Sequence, residues 1–398
     1  LSNLDKAVQM EWIITNGLGG YASSTIPGIN TRKYHGLLVA AFNPPTDRRV
    51  LLAKLDEEIE IEGKQYSLGS NEFREGIQSH GYQFLSVFSL NPFPTYRYDV
   101  HGIHLLKSIF MPYEKNATVV FYDVLNSNES EVLFHVFPLV NSRHFHSVTN
   151  MNELTWSFNQ EASKQTVIIQ PSTLVSTLLL FSSDGQYIMD EGKWIRKVFF
   201  RVDEARGESH LDDIFRPGQF DIRIAPRERK KLYFLAVGGR NLSEAKNVFS
   251  SVYNKSMKIE DLYELELNRQ RDLLAQFKNR YPDVLMEDWL KWLILAADSF
   301  IVKRLSTQTK SVVAGYHWFE DWGRDALISL PGLTLITGRF EDAKEILLTF
   351  KQYCQNGIIP NRFPDHTGYK PEYNTVDATL WYFNAVLQFL KYTGDFDF

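Results

Sequence analysis

The chain has 398 residues, of which 44% are hydrophobic, and a formal net charge of -5 at pH 7. This length allows two domains with a large core, and the mild negative charge argues against a nucleic-acid partner. The only cysteine, Cys354, excludes an intrachain disulfide and suits a reducing, cytoplasmic compartment. No apolar run reaches the roughly 18 residues of a membrane span, and the first residues lack the apolar segment of a signal peptide. No motif indicates a cofactor.

Residues 1–255 are predicted to form an antiparallel β-sandwich. Ile59 and Ile61 alternate with glutamates, which is typical of a half-buried strand, and this strand is expected to end at Gly63. Many further β-branched and aromatic runs, separated by short polar turns, favour the same architecture. The other predicted strands are 37–41, 118–124, 132–140, 166–169, 174–181, 194–202, 220–224 and 232–237.

Two glycine-containing motifs lie near the start of this β region. Residues 16–21, Asn-Gly-Leu-Gly-Gly-Tyr, are followed by neither Gly-Lys-Ser/Thr nor a helix, which excludes a phosphate-binding loop. A glycine-rich turn is the favoured interpretation. Residues 31–36, Thr-Arg-Lys-Tyr-His-Gly, then lead into the predicted strand at 37–41.

A group of basic residues, Arg143, His144 and His146, closes the run at residues 137–146. A metal site is one interpretation of the two histidines. No Asp or Glu in this run completes a ligand set, so a loop at the end of a strand is favoured and no metal site is predicted.

From residue 256 onwards the pattern is helical. A charged helix is predicted over 259–278, and Asp283, which follows Pro282, is placed to cap the next helix. Three more helices are predicted: one over 322–337 with a kink at Pro331, and the other two over 340–355 and from residue 374. Two apolar stripes at helical spacing predict faces packed in a core. They are Leu285, Trp289, Trp292, Leu293, Ala296 and Phe300, and Val376, Leu380, Phe383, Leu387 and Leu390.

The stretch from 315 to 330 is the strongest candidate for a binding site. It combines aromatic and charged side chains in a short space, namely Trp318, Glu320, Asp321, Trp322, Arg324 and Asp325. A sugar ring stacks its apolar face on an indole, and its hydroxyls bond to carboxylates and guanidinium groups. The alternative is an ordinary helix start, in which Asp321 caps the helix and the tryptophans belong to the core.

A second candidate lies at the start of the last predicted helix. Asn374 and Asp377 have the spacing of a capping box, in which the residue three positions in reaches back to the cap. The functional alternative is that Asp377 and Trp381, four residues apart, share one face at a helix end that points into a cavity.

Taken together, these motifs resemble those of bacterial or archaeal glycogen debranching enzymes of the amylo-α-1,6-glucosidase type, over essentially the whole chain. The resemblance implies a multidomain β + α fold, with an antiparallel β-sandwich at 1–255, a helical linker at 256–282 and the first helices of a glucoamylase-like (α/α)6 barrel at 283–398. It also implies hydrolysis of α-1,6-linked glucose at branch points, with inversion, and glycogen or a branched α-glucan as the partner. The segments that carry the resemblance are 16–21, 31–37, 322–325, 335–339, 357–361 and 373–381.

The same resemblance implies roles for particular residues. Arg324 and Asp325 would hold the non-reducing glucose. Side chains expected to line the pocket and its mouth are Trp318, Trp322, Asn361, Arg362, Asn374, Asp377 and Trp381. A twelve-helix barrel needs roughly 300 residues, whereas about four helices are predicted after Pro282. The catalytic acid and base are therefore expected beyond Phe398, and residues 1–398 alone are expected to be inactive.

Two other interpretations stay open at this level. One is a non-catalytic glucan-binding or scaffold protein built on the β-sandwich and a few helices. The other is a different glucosidase, or a phosphorylase, with the same architecture. The sequence does not distinguish among these, and it leaves the oligomeric state undetermined.

Overall fold

The computed structural model describes residues 3–172, 176–253, 259–363, 371 and 373–397. The chain divides into two compact units. The first comprises Leu1–Ile14, Tyr21–Ala40 and Arg48–Leu262, and the second comprises Thr15–Gly20, Ala41–Asp47 and Tyr263–Phe398. Two short segments from the N-terminal part of the chain therefore belong to the same unit as the C-terminal helices.

β-Strands dominate the first part of the chain and helices the last part, in the predicted order. The strands β1 to β20 are Glu11–Thr15, Tyr21–Thr25, Gly36–Asn43, Thr46–Ile61, Lys64–Ser67, Asn71–Phe73, Gly76–Gln78, Leu85–Ser89, Thr95–Val100, Ile103–Phe110, Ala117–Asn126, Val132–His144, Phe158–Ala162, Thr166–Pro171, Thr177–Ser182, Gln186–Phe199, Leu211–Ile224, Arg229–Gly239, Ile301–Arg304 and Thr309–Val312. The α-helices α1 to α8 are Leu4–Ala7, Arg201–Ala205, Leu242–Val252, Ile259–Arg280, Asp288–Phe300, Gly323–Leu330, Phe340–Gln352 and Asp377–Thr393. A π-helical turn, Pro331–Leu335, follows α6.

Most strands of the first unit belong to two large sheets. One has the strand order β1-β2-β3-β4-β12-β17-β16, with β5 paired to β4. The other has the order β13-β14-β15-β18-β11-β10-β9-β8. Pairs within both sheets are antiparallel, for example β4 with β12 and β11 with β18, as the alternating pattern predicted.

Side chains from the two sheets meet in the interior of the first unit. Phe134 from β12 packs edge-on against Tyr122 from β11, with ring centroids 5.2 Å apart. Glu57 on β4 is only 3% exposed and accepts hydrogen bonds from Tyr122 Oη at 2.6 Å and Lys107 Nζ at 2.5 Å. Burial, reinforced by the Glu57 carboxylate, raises the pKa of Tyr122 well above its ordinary value. The phenol therefore stays protonated and acts as the donor to Glu57.

Within the described part of the region that was predicted to be entirely β, the α-helices α1, α2 and α3 are also present. The predicted strand 194–202 ends at Phe199, and α2 begins at Arg201. Further on, Asn241 caps α3 by accepting a hydrogen bond from the Glu244 backbone N–H at 2.9 Å. An asparagine three residues before a glutamate is a recognisable helix-start signal, so α3 could have been predicted from the sequence.

A β-hairpin, β19 paired with β20, interrupts the region that was predicted to be entirely helical. Ile301 pairs with Val312, and Arg304 pairs with Thr309. β-Branched residues flank the turn, which favours strands. At Pro331, where a kink was predicted, α6 has ended at Leu330 and a π-helical turn begins.

The core of the second unit is formed by small, aliphatic and aromatic residues, most of them from α6, the π-helical turn, α7 and α8. Its buried members are Val312, Ala326, Leu327, Leu330, Leu335, Ala343, Ile346, Leu347, Phe350, Ile359, Phe363, Ala378, Ala385 and Phe389. On α8 the buried residues are Ala378, Ala385 and Phe389, which differs from the predicted stripe. Leu380 is 62% exposed and Phe383 is 68% exposed.

The predicted buried face of α5 is also wrong. Trp289 is 65% exposed and Leu293 is 59% exposed, whereas Asp298 is buried. The Asp298 carboxylate accepts hydrogen bonds from Arg269 at 2.8 Å and from Arg339 at 2.5 Å. These two ion pairs stabilise the Asp298 carboxylate in the interior, because a buried carboxylate has to remain paired. Glu287, rather than Asp283, precedes the first residue of α5.

Candidate functional site

The loop after β20 carries the first group of candidate residues. Its ends are held together by an isolated antiparallel bridge between Val313 and Asp321. Within it, the Ala314 N–H donates to the Glu320 carbonyl at 2.9 Å. Trp318 lies in this loop and is half-buried. The loop is therefore closed on itself and leads directly into α6.

A second loop, residues 357–363, pairs with the start of α6. Trp322 and Arg362 form an antiparallel bridge, and the Gly323 N–H donates to the Asn361 carbonyl at 2.8 Å. The Arg324 N–H donates to the Asn361 side-chain oxygen at 3.3 Å. A Cβ on Gly323 would lie 2.6 Å from the Pro360 carbonyl oxygen, so only glycine allows this close approach.

Arg324 reaches across to the start of α8. Its Nη1 lies 3.5 Å from Asp377 Oδ2, and the two side chains are 52% and 44% exposed. Asp325 does not share this contact, because successive residues on a helix point in different directions. Its carboxylate makes no hydrogen bond or ion pair with the residues that the structure describes. Arg324 therefore has a carboxylate neighbour in Asp377, while the Asp325 carboxylate has no such partner among the described residues.

Arg362 connects an aromatic ring to a carboxylate. Its Nη2 is 3.5 Å from Glu320 Oε2, and its guanidinium carbon lies 5.8 Å from the centre of the Trp322 ring. Phe319 meets Trp322 edge-on, with centroids 6.4 Å apart. The Trp322 indole, the Arg362 guanidinium and the Glu320 carboxylate therefore lie next to one another where the two loops meet.

The capping box, one of the two interpretations of the start of α8, is absent. The helix begins at Asp377, and Val376 precedes it without a side-chain cap. The Asp377 carboxylate instead accepts a hydrogen bond from the Ala378 N–H at 3.0 Å and lies near Arg324. Asn374 is exposed and precedes the helix. Trp381 is half-buried and packs against the core of the second unit.

Asp321 has a different role from either one that the sequence suggested. It is 3% exposed and bonds to Arg304 Nη1 at 2.5 Å, so it faces the interior rather than a ligand. It does not cap α6, because Trp322 occupies the cap position and makes no side-chain hydrogen bond there. Arg304 was missed by the sequence reasoning. The β-branched residues around it were the available signal for the hairpin that carries it.

In the described part of the chain, no group of three or more His, Cys, Asp or Glu side chains is arranged to hold a metal ion. His144 is the last residue of β12 and His146 lies in the turn after it, so the strand extends beyond the predicted range 132–140 before the chain turns. Within the same ranges, no helix combines the length and apolar character that crossing a bilayer requires.

Comparisons with known proteins agree with the motifs. Residues 10–231 match the profile of the family described as "Glycogen debranching enzyme N terminal". Residues 295–398 match the profile described as "Amylo-alpha-1,6-glucosidase". Both profiles describe parts of debranching enzymes. The chain belongs to the glycogen debranching enzyme family, as its motifs predicted.

Individual relatives match more narrowly. A glycogen debranching enzyme from the yeast Saccharomyces cerevisiae is 40% identical over 79 residues, which is 20% of this chain and 5% of the yeast protein. A protein described as a kojibiose phosphorylase, from the human microbiome, is 10% identical with a TM-score of 0.49, over 98% of this chain and 50% of that one. A bacterial glucoamylase complexed with acarbose is 11% identical with a TM-score of 0.46, over 96% of this chain and 55% of that one. The chain thus spans about half the length of the two solved structures and far less of the yeast protein.

Proposed function

We propose that this chain carries the glucose-binding residues of an enzyme that hydrolyses α-1,6-linked glucose at the branch points of glycogen or a related α-glucan, with inversion. Membership of the glycogen debranching enzyme family supports the substrate class. We also propose that the two sheets of the first unit form a β-sandwich and that the helices of the second unit begin an (α/α)6 barrel. The boundaries 1–255, 256–282 and 283–398 belong to the same proposal.

The observation that carries this proposal is the loose pair formed by Arg324 and Asp377. At 3.5 Å, with both side chains about half exposed, neither group is committed to a tight ion pair. A sugar hydroxyl placed between them would accept from the guanidinium and donate to the carboxylate. Each such bond to a charged group is worth roughly 1.5–3 kcal/mol.

The neighbouring groups supply the other features of a sugar site. Trp322 offers an aromatic surface for the apolar face of a pyranose. Arg362 and Glu320 lie beside it and are suited to hydroxyl recognition. The Asp325 carboxylate, which has no partner among the described residues, is a further acceptor near the start of α6. Trp318, Asn361, Asn374 and Trp381 complete the proposed pocket and its mouth.

The catalytic acid and base are proposed to lie outside residues 1–398. Inversion requires two carboxyl groups about 6.5–9.5 Å apart, with room for a water molecule. The exposed apolar faces of α5 and α8 support this proposal, because further barrel helices would bury them. On this view residues 1–398 alone release no glucose from a branched limit dextrin.

The test uses the complete protein and four single variants. Arg324→Ala, Asp377→Asn and Asp325→Ala are expected to lower glucose release from branched limit dextrin by about a hundredfold or more, because hydroxyl contacts tighten in the transition state. Their melting temperatures are expected to stay near that of the wild type. Asp288→Asn removes an equally charged group from an 89% exposed position, where its ion pair contributes little, and is expected to leave turnover unchanged.

Normal turnover in all three site variants would refute the proposed pocket. Product analysis with and without inorganic phosphate distinguishes hydrolysis from phosphorolysis, and glucose 1-phosphate as the product would identify a phosphorylase. Tight glucan binding by the complete protein, with no product formed, would identify a binding or scaffold protein.

A further inference from the structure

The bridge between Trp322 and Arg362 has two faces. Side chains of successive residues in an extended segment point to opposite sides, and residues opposite each other in an antiparallel pair share a side. Asp321 and Phe363 flank the bridge and therefore lie opposite each other on its inner face. Trp322 and Arg362 lie on its outer face, where they form part of the candidate site.

Arg304 contacts both residues of the inner face. Its Nη1 donates to Asp321 Oδ2 at 2.5 Å, and its guanidinium carbon lies 4.4 Å from the centre of the Phe363 ring. Arg304 is 0% exposed, Asp321 is 3% exposed and Phe363 is 5% exposed. A single buried side chain thus joins the loop after β20 to the loop before Phe363.

Hydrogen bonds from the residues immediately before and after Arg304 fix its position in the second unit. The Lys303 N–H donates to the Gly17 carbonyl at 2.8 Å, and the Leu305 N–H donates to the Pro44 carbonyl at 2.9 Å. Gly19 has φ +86°, and a Cβ on it would lie 2.6 Å from the Pro45 carbonyl oxygen. The glycine-rich motif at residues 16–20 therefore has a structural role in the second unit, where it fixes the position of β19.

We propose that Arg304 is a positioning residue for the glucose site. Through Asp321 and Phe363 it sets the relative position of the two loops, and so the spacing of Trp322 and Arg362 on the outer face. Because Arg304 is fully buried, this role is exerted through Asp321 and Phe363 and not by direct contact with substrate. This inference rests on the proposed function, because it assigns a support to the same site.

The planar fork of arginine suits this role. It bonds to a carboxylate along its edge and stacks on an aromatic ring with its face, and both contacts are present here. Lysine would keep the charge but lose the stacked plane. Replacing both partners of the buried ion pair by apolar residues avoids leaving either charge unpaired, so such a variant is expected to fold.

The experiment compares Arg304→Met/Asp321→Leu, Arg304→Lys and Trp322→Ala in the complete protein. Melting temperature, kcat and KM for glucose release from branched limit dextrin are measured for each. The double variant is expected to melt near the wild type and to lose at least about tenfold in kcat/KM, because a small displacement of binding groups is costly. Arg304→Lys is expected to fold and to show an intermediate loss.

A double-mutant cycle measures whether the losses in kcat/KM are additive. A purely structural role of Arg304 would not produce non-additive losses with Trp322. If Arg304 acts through the Trp322 surface, adding Arg304→Met/Asp321→Leu to Trp322→Ala lowers kcat/KM by much less than it does in the wild type. The control is Lys310→Met, which removes another ion pair of the hairpin, one that links β20 to α7, and leaves Asp342 paired with Arg339. This control is expected to leave kcat/KM unchanged.

An Arg304→Met/Asp321→Leu protein that folds with unchanged kcat/KM would overturn the inference, and so would fully additive losses in the cycle. If the double variant does not fold, a folded Arg304→Lys protein with wild-type kcat/KM would overturn it instead. Normal glucose release by Trp322→Ala and Arg324→Ala would show that the proposed site itself is wrong. A loss in those two variants, with none in the Arg304 variants, would refute the positioning role alone.

Discussion

His146 shows how the environment of one residue links stability to pH. Its Nδ1 lies 3.0 Å from the Tyr34 hydroxyl. Burial, together with the positive charges of His144, Arg48 and Lys33, lowers the pKa of His146 from 6.5 to about 4, and Glu208 opposes this only in part. Since the pKa is lower in the folded state, the unfolded chain takes up the proton first as the pH falls. The folded state therefore keeps its full stability above about pH 6.5 and loses part of it between there and pH 4.

We predict that His146→Gln removes this component of the pH dependence. Glutamine can still accept the Tyr34 hydrogen bond but does not titrate. The free energy of unfolding of the variant should fall less between pH 6.5 and pH 4 than that of the wild type, by on the order of 1 kcal/mol once partial exposure is allowed for. Urea unfolding at several pH values measures this difference. His80→Gln, at an exposed position, is the control, and an equally steep dependence in the His146 variant would contradict the prediction.

At the scale of elements, the junction of α6 with the loop before Asn361 depends on Gly323. A Cβ there would press on the Pro360 carbonyl, which is main chain and cannot rotate away. We predict that Gly323→Ala destabilises the protein by about 1–3 kcal/mol and weakens glucan binding, because it separates Arg324 from Asn361. Denaturant unfolding and calorimetric titration with a branched oligosaccharide measure the two effects.

Gly332 in the π-helical turn is the matched control for this change. Apart from its chain neighbours and the backbone of its own helix, no atom would lie within 4 Å of a Cβ at that position. Gly332→Ala should therefore be neutral, or stabilising by up to about 1 kcal/mol through the reduced entropy of the unfolded chain. Equal effects of the two substitutions would mean that the contact with Pro360 is unimportant.

For the molecule as a whole, the exposed apolar faces of α5 and α8 determine its behaviour in solution. Trp289, Leu293, Leu380 and Phe383 are each more than half exposed. A few hundred Å2 of such surface corresponds to several kcal/mol of drive to associate, at about 25 cal/mol per Å2. We predict that residues 1–398 self-associate at micromolar concentration, and that Trp289→Glu/Phe383→Glu reduces this association without lowering the melting temperature. Sedimentation velocity measures the effect.

Phe389→Glu provides the comparison on the same helix. Phe389 is 2% exposed. A charged side chain at this position should therefore unfold the helical unit and should not reduce self-association of the folded protein. A monodisperse wild-type monomer that binds no dye specific for apolar surface would show that these faces need no partner.

Local patterns in the sequence determined the type of most secondary-structure elements. The alternation around Ile59 and Ile61 predicted a strand, and β4 covers it. The charged periodic run from 259 predicted a helix, and α4 extends from Ile259 to Arg280. Such patterns succeed because they depend on residues two to four positions apart. The motifs that define the family are local in the same sense.

Which face of a helix is buried was decided only by the tertiary structure. The apolar stripes on α5 and α8 are exposed, while Asp298 is drawn inward by Arg269 and Arg339, which lie 29 and 41 residues away in the chain. The candidate site likewise depends on contacts between residues far apart in the sequence. Trp322 and Arg324 were visible as a motif, but Asp377, the partner of Arg324, lies 53 residues further on. The position of Arg304 beneath the Trp322–Arg362 bridge was not predictable, because no pattern of neighbouring residues encodes a contact made through folding.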